Sequence, residues 1–418
     1  MKIAVVGGGS SYTPELIEGL ALWSASGGPL EVLLYDVDLQ RADVVAAFCS
    51  RMARHLHSSL AVRVAKTLDE AIDNATFVVL QIRVGGQQER HQDILMGLRH
   101  GLIGQETTGV GGFAKALRTI PVVLDVARRV RERAPKAWII NFTNPSGIIT
   151  EAVCRFATTR CVGLCNVPKE FQMDVARHLR VHADEVQLDW VGLNHLGWAR
   201  RIMVKGRDVL PHLLQTLDSG FGPKNIPDLE YPEGFLSALR MLPSSYVRYF
   251  YLPERMLAEI KSRKKTRAEE VMAIEEELYA YYADEANAVK PVGLTERGGA
   301  WYSRIAVEVM QALGAETARN LIVNTTNLGA IEGMPGDACV EIPAMVSRDG
   351  IKPIAIGEVE EAIMGLIRQV KSYERLTIEA AVGRDERKAL LALMNNPLVG
   401  SAEQAMDVLA SIRKRGLL

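Results

Sequence analysis

Disulfide-forming cysteine is what this chain most clearly lacks. Cys49, Cys154, Cys161, Cys165 and Cys339 are five scattered thiols in 418 residues. An odd and sparse set excludes a disulfide scaffold and is what a reducing cytoplasm permits. Charge of one sign is missing as well. With 49 basic and 50 acidic residues the formal net charge is −1, so no global field favours nucleic acid or an anionic membrane. An anionic ligand has to be met by a local cluster. No apolar run is long enough to span a bilayer, and Met1-Lys-Ile-Ala-Val-Val runs into glycines without a secretory leader. The expectation is a cytoplasmic protein with a small-molecule partner. What is present, 48% hydrophobic and 24% charged residues, is ordinary for a globular chain with a sizeable core.

Short aliphatic runs at 2–7, 31–35, 76–82, 137–141 and 161–164 alternate with helical patterns at 14–22, 39–55, 114–133 and 146–156. Strands buried on both faces and separated by helices imply a parallel sheet covered on both sides. Such a sheet places ligands at the carboxyl ends of its strands. After Pro168 the rhythm changes. Short strands are expected at 186–193 and 199–204, a Pro/Gly-rich connection at 220–234, and helices at 266–288, 302–313 and from 358 onward. The expected fold is α/β: a Rossmann-like parallel sheet in residues 1–168, then a mixed α+β, helix-rich domain in 169–418, as in lactate and malate dehydrogenases.

Gly7-Gly-Gly-Ser-Ser-Tyr-Thr-Pro14 follows the first strand directly. Glycines let the backbone approach a pyrophosphate, whose charge is stabilised by the free N–H groups of the next helix. Gly7, Gly8, Gly9, Ser10 and Ser11 are therefore candidate cofactor residues, with Thr13 as helix cap and Pro14 at the first helical position. Asp36 ends the second strand, where a carboxylate accepts hydrogen bonds from ribose hydroxyls and favours NAD over NADP. Tyr12 occupies the third glycine position of the usual fingerprint, so the motif alone is only moderately specific.

Three further polar stretches fall where strands end: Gln81–Arg90, Gly104–Gly112 around Glu106, and Asn141-Phe-Thr-Asn-Pro-Ser-Gly147. Each alone reads equally as a structural turn; together they point to one sheet edge. Cys165 also follows a strand, and His195 sits in Gly192-Leu-Asn-His195. A buried packing cysteine and a hydrogen-bonded core histidine are the bland alternatives. As metal ligands, the two leave positions open for substrate oxygens. The tyrosines of Pro243–Tyr251 are mostly packing residues, although one becomes a base if a cation lowers its pKa. Lys261–Arg267 is either a solvated helix entry or the source of a phosphate-gripping arginine.

Taken together, these segments resemble glycoside hydrolase family 4, the NAD- and divalent-metal-dependent glycosidases, and in particular its 6-phospho-β-glucosidases. The resemblance covers nearly the whole chain and is carried by Ile3–Glu15, Gly101–Phe113, Asn141–Gly147, Gly163–Pro168 and Gly192–His195. It implies that Cys165 and His195 hold Mn2+ or another divalent metal, that Tyr246 is the base, and that Glu106 increases its basicity. It implies substrate contacts at Arg90, Asn144 and Asn166, and a phosphate grip at Arg267, with Arg263 as rival. The implied route departs from the two-carboxylate mechanism of most glycosidases. C3 is oxidised at the expense of NAD+, the C2 proton is removed, and the aglycone is eliminated. Water then adds and C3 is reduced again. Asn166 favours the β-linkage, because α-specific members typically carry aspartate there. A homodimer or homotetramer is implied. The alternatives are a 6-phospho-α-glucosidase, a 2-hydroxy-acid dehydrogenase, which accumulates NADH, and a non-catalytic NAD sensor.

Overall fold

The computed structural model describes residues 1–217, 221, 226–297 and 301–418. The expected connection at 220–234 therefore lies partly outside the described residues. Strands β1 (Lys2–Val6), β2 (Glu31–Tyr35), β3 (Ala61–Val64), β4 (Phe77–Leu80), β5 (Trp138–Asn141) and β6 (Cys161–Gly163) are parallel, in the order β3-β2-β1-β4-β5-β6. This is the Rossmann order, with its switch point between β1 and β4. β4 is buried along its whole length, as a strand covered on both faces must be.

Helices α1 (Thr13–Gly27), α2 (Leu39–His55), α3 (Leu68–Ile72), α4 (Gly86–Arg99), α5 (Gly109–Arg133), α6 (Ser146–Phe156) and α7 (Val167–Leu179) connect or follow these strands. α2 shows why the pattern was readable. Its buried residues include Ala42, Val45, Ala46, Cys49, Met52 and Ala53, a stripe of helical period, and the Asp38 side chain caps it through Arg41 N–H.

A second, antiparallel sheet is built from β7 (Val186–Leu193), β8 (Leu196–Val204), β9 (Arg207–Asp208) and β10 (Leu242–Pro243). Short helices α8 (Leu210–Thr216), α9 (Phe235–Leu239), α10 (Arg248–Tyr251) and α11 (Pro253–Ser262) surround it, followed by α12 (Arg267–Ala283) and α13 (Tyr302–Gly314). The chain then returns to the first sheet. β11 (Arg319–Thr326), β12 (Cys339–Ser347) and β13 (Gly350–Pro353) add antiparallel strands beside β6, making nine in all among the described residues. Helices α14 (Glu361–Gly383), α15 (Glu386–Asn395) and α16 (Ala402–Lys414) complete the chain. No helix of the described residues is long and apolar enough to cross a membrane.

Candidate functional site

The turn after β1 is shaped by backbone approach. Gly7 has φ +89, and a Cβ there would meet the Gln81 carbonyl oxygen at 2.7 Å, so only glycine fits. Gly7 and Gly8 N–H both donate to Tyr35 O, at 2.9 Å each. Gly9 N–H donates to Asp36 Oδ2 at 2.9 Å, which fixes that carboxylate at the end of β2. Thr13 differs from its expected role as cap. It lies inside the first turn of α1. Its hydroxyl donates to Gly8 O at 2.8 Å and accepts from Gln81 at 2.6 Å, so it staples the turn to β4 instead. α12 clasps the turn from outside: Tyr279 donates to Gly9 O and Tyr282 to Ser11 O, both at 2.8 Å. A cavity of about 1450 Å³ opens here, and Gly7, Ser10, Asp36, Asn144 and Tyr302 are among its lining residues. Gly8, Gly9 and Ser11 are buried beneath the turn.

Beyond the turn lies a knot of charge. Glu106 pairs with Arg83, with Arg90 Nη2 at 2.9 Å and with Lys115 Nζ at 2.9 Å. Burial alone would raise its carboxyl, but the Arg83, Arg90 and Lys115 charges hold it well below the ordinary carboxylate range. Burial, aided by the Arg83 charge, brings Lys115 down to about 7; burial, aided by the Arg83, Arg297 and Arg267 charges, brings Arg90 to about 10. The expected ligand-touching loop is shorter than Gly104–Gly112, because Gly109–Gly112 form the first turn of α5. The glycines serve packing: a Cβ at Gly111 would sit 2.2 Å from Gln105 O. Thus the 105–108 segment lies against the helix and Glu106 is held between α4 and α5.

Cys165 lies two residues past β6 and just before the N-terminus of α7, where Val167 N–H and the Asn194 amide both bond its sulfur. Burial first, then the Glu341 charge, pushes its thiol up. His195 sits in the tight turn between β7 and β8 at φ +62, an uncommon conformation for a side chain of this type and a reason to look for function. Its Nδ1 bonds Thr107 Oγ1 at 3.0 Å, and burial lowers it to about 3, so the ring is neutral. The Tyr246 ring lies flat on this imidazole, with centroids 3.8 Å apart and planes 5° apart. Burial raises the Tyr246 phenol, and the Tyr249, Cys165 and Glu106 charges add to that. The structure thus brings Cys165, His195 and Tyr246 together.

Asn144, in a cis bond to Pro145, meets the Tyr302 hydroxyl on the cavity wall. Asn166 is the N-cap residue of α7, and its amide donates to Glu170 at 3.0 Å. Arg267 opens α12, bonding Glu270 at 3.0 Å and Glu296 O at 2.6 Å; its charge reaches Arg90. Arg263 pairs with Glu259 at 3.7 Å, and its charge reaches Tyr249, as that of Arg90 does. Arg83, Lys115, Arg297 and Tyr302 were not singled out from the sequence. Arg83 alone had a usable signal, lying just past the end of β4. Arg297 is paired with Glu275 at 2.8 Å and lies over the Tyr12 ring at 5.3 Å.

Strand order and glycine turn define a dinucleotide-binding α/β protein of the lactate/malate dehydrogenase architecture. A lactate dehydrogenase from a deep-sea metagenome library shares that fold at a TM-score of 0.57, with 13% identity over 91% of this chain and 98% of that one. The chain belongs to glycoside hydrolase family 4: residues 2–181 match the model for family 4 glycosyl hydrolase, and 190–399 that for its C-terminal domain. It is 39% identical to the 6-phospho-beta-glucosidase of Thermotoga maritima, over 99% of this chain and 97% of that one. A phospho-alpha-glucosidase of Clostridium acetobutylicum is 30% identical, over 98% and 96%. The Thermotoga enzyme solved with manganese, NAD+ and glucose-6-phosphate superposes at a TM-score of 0.91, with 38% identity, covering 99% of this chain and 98% of that one.

Proposed function

We propose that this protein hydrolyses 6-phospho-β-glucosides, such as cellobiose 6-phosphate, to glucose 6-phosphate and an aglycone, using NAD+ and Mn2+ or another divalent metal. The observation that carries the reading is Tyr246 lying flat on neutral His195 beside Cys165. Residues 1–168 then form the NAD-binding domain, and 169–418 the substrate-, metal- and subunit-contacting domain.

The residues fit both cofactors. Asp36, oriented by Gly9 N–H, suits ribose hydroxyls and repels a 2′-phosphate. A thiolate and a neutral imidazole make a donor pair for a divalent ion. Cys165 and His195 supply two ligands, so a bound ion would keep sites open for the sugar's oxygens. When bound, NAD+ supplies a reversible hydride acceptor for C3, and the metal supplies Lewis acidity at the C2 and C3 oxygens.

Tyr246 takes the C2 proton. Its raised phenol becomes a base only when positive charge is placed beside it. Cys165 and His195 mark where that charge belongs. Glu106 stays ionised under its three cations and adds negative potential at the phenol, which increases its basicity. Arg90 and Asn144 orient the sugar, and Arg267, whose charge reaches Arg90, grips the 6-phosphate, with Arg263 as its rival. Asn166 has no acidic proton for an α-linked leaving group, which supports the β-linkage. The higher identity to the β-acting relative points the same way. Exposed Leu391, Met394 and Met406 on α15 and α16 supply apolar surface for a homodimer or homotetramer. Five unpaired cysteines support a cytoplasmic location.

The test is turnover of p-nitrophenyl β-glucoside 6-phosphate against its α-anomer and its unphosphorylated counterpart, with and without NAD+ and Mn2+. Hydrolysis without net NADH, and deuterium at C2 of the product formed in heavy water, are expected. Tyr246→Phe should abolish both. Product free of deuterium would sink the elimination route.

A further inference from the structure

Glu341, on β12, is 1% exposed. Trp190 Nε1–H donates to its Oε1 at 3.3 Å, and the Asn194 and Asn324 amides donate to its Oε2 at 3.2 and 3.0 Å. These three partners are an indole and two amides, none of them a cation. A buried carboxylate so placed costs stability, and an apolar side chain of similar size would pack at least as well. The position therefore calls for a reason other than packing.

Its three partners supply one. Asn324 stands opposite Glu341 across the β11–β12 pair and opposite Gly163 across β11–β6, on the strand that leads into Cys165. Trp190 lies on β7, and Asn194 in the turn that ends it, next to His195. The Asn194 amide touches two groups, the Glu341 carboxylate and the Cys165 sulfur. Glu341 accepts one N–H of that amide and so aims the rest of it at the sulfur. Gly147 lets this happen at close quarters, since a Cβ there would meet Asn194 Cβ at 3.0 Å.

We propose that Glu341 is a positioning residue for the Cys165–His195 pair, aiming the Asn194 amide at the sulfur and anchoring the β7–β8 turn that presents the imidazole. The proposal rests on the reading that Cys165 and His195 hold a divalent ion. Asn194 stands one bond from the Cys165 sulfur, and losing a group so placed typically changes metal affinity by about 10–100-fold; Glu341 acts through it.

Cobalt(II) titration of the NAD-free protein reads the site without turnover, through the thiolate-to-cobalt charge-transfer band. The parent should give a saturable band that Cys165→Ser abolishes. Glu341→Leu and Asn194→Ala should each raise the Co2+ dissociation constant about 10–100-fold. The double variant should stay within about twofold of the weaker single one, because both cut the same link. Glu341→Gln keeps the volume and an accepting oxygen, so it should lose less, and it decides the matter if the leucine variant does not fold. NAD+ affinity should be unchanged throughout. A parent without a band overturns the metal reading itself. A parent that binds while Glu341→Leu binds within about twofold, effects that multiply in the double variant, or NAD+ affinity falling in step would overturn the positioning role.

Discussion

Replacing Glu106 by glutamine would leave Arg83, Arg90 and Lys115 facing one another without the carboxylate all three share. All three are largely shielded from solvent, so screening cannot absorb the repulsion as it does at an open surface. Removing one partner from a buried charge group costs about 3 kcal/mol or more. Glu106→Gln should therefore lower unfolding free energy by about that amount in urea titrations. A loss below ~1 kcal/mol would mean the knot is screened like a surface pair. The same arrangement explains why single-residue reading of the sequence stopped short. Glu106 and Arg90 stood out as polar residues near strand ends. Lys115 lies in an apolar stretch of α5, and only the fold shows that this stretch passes beside Glu106.

At the scale of elements, the first turn of α5 is the part most dependent on one residue type. Gly111→Ala would place a methyl 2.2 Å from Gln105 O. Gln105 cannot simply yield, because its side-chain oxygen accepts from the N–H groups of Thr107 and Thr108, at 2.6 Å each. Alanine gains about 1 kcal/mol in helix propensity over glycine, but overpacking of this kind costs about 1–3 kcal/mol. A net destabilisation is expected, visible as a lower melting temperature together with weaker glucose 6-phosphate binding, since the 105–108 segment carries Glu106. A variant as stable as the parent would show that the loop moves freely. Elements buried on both faces or along one clean stripe were legible in the sequence: 31–35, 39–55, 146–156 and 186–193 fall where their patterns place them. β3 has no fully buried residue, so its pattern was too weak to read. β11 to β13 are antiparallel additions to a parallel sheet, and no local pattern states which sheet a strand will join. Glu341 was invisible for the same reason, since its meaning lies in Trp190, Asn194 and Asn324.

Over the whole molecule the formal charge is −1, yet five cations gather around three carboxylates beside the cavity. Arg83, Arg90, Lys115, Arg267 and Arg297 face the carboxylates of Glu106, Glu270 and Glu275. That surplus suits a phosphate dianion, and it makes global stability depend on pH through its most deeply buried member. Lys115 titrates at about 7 in the folded protein, below its ordinary value of 10.5. Between those values the unfolded chain binds the additional proton, so stability rises with pH across that window. Below pH 7 both states carry the proton and the full penalty of burying an ammonium remains. Glu106 acts elsewhere on the scale: its carboxyl is depressed, so its contribution holds above its ordinary value and fades only as pH falls through the folded one. Lys115→Met removes the alkaline slope and, because the Lys115 charge helps hold the Glu106 carboxyl down, shrinks the acid one as well. Urea unfolding of parent and variant at pH 7 and pH 9.5 should therefore show the parent gaining on the variant as pH rises, and a difference constant over that range would mean that Lys115 keeps its proton in the folded state.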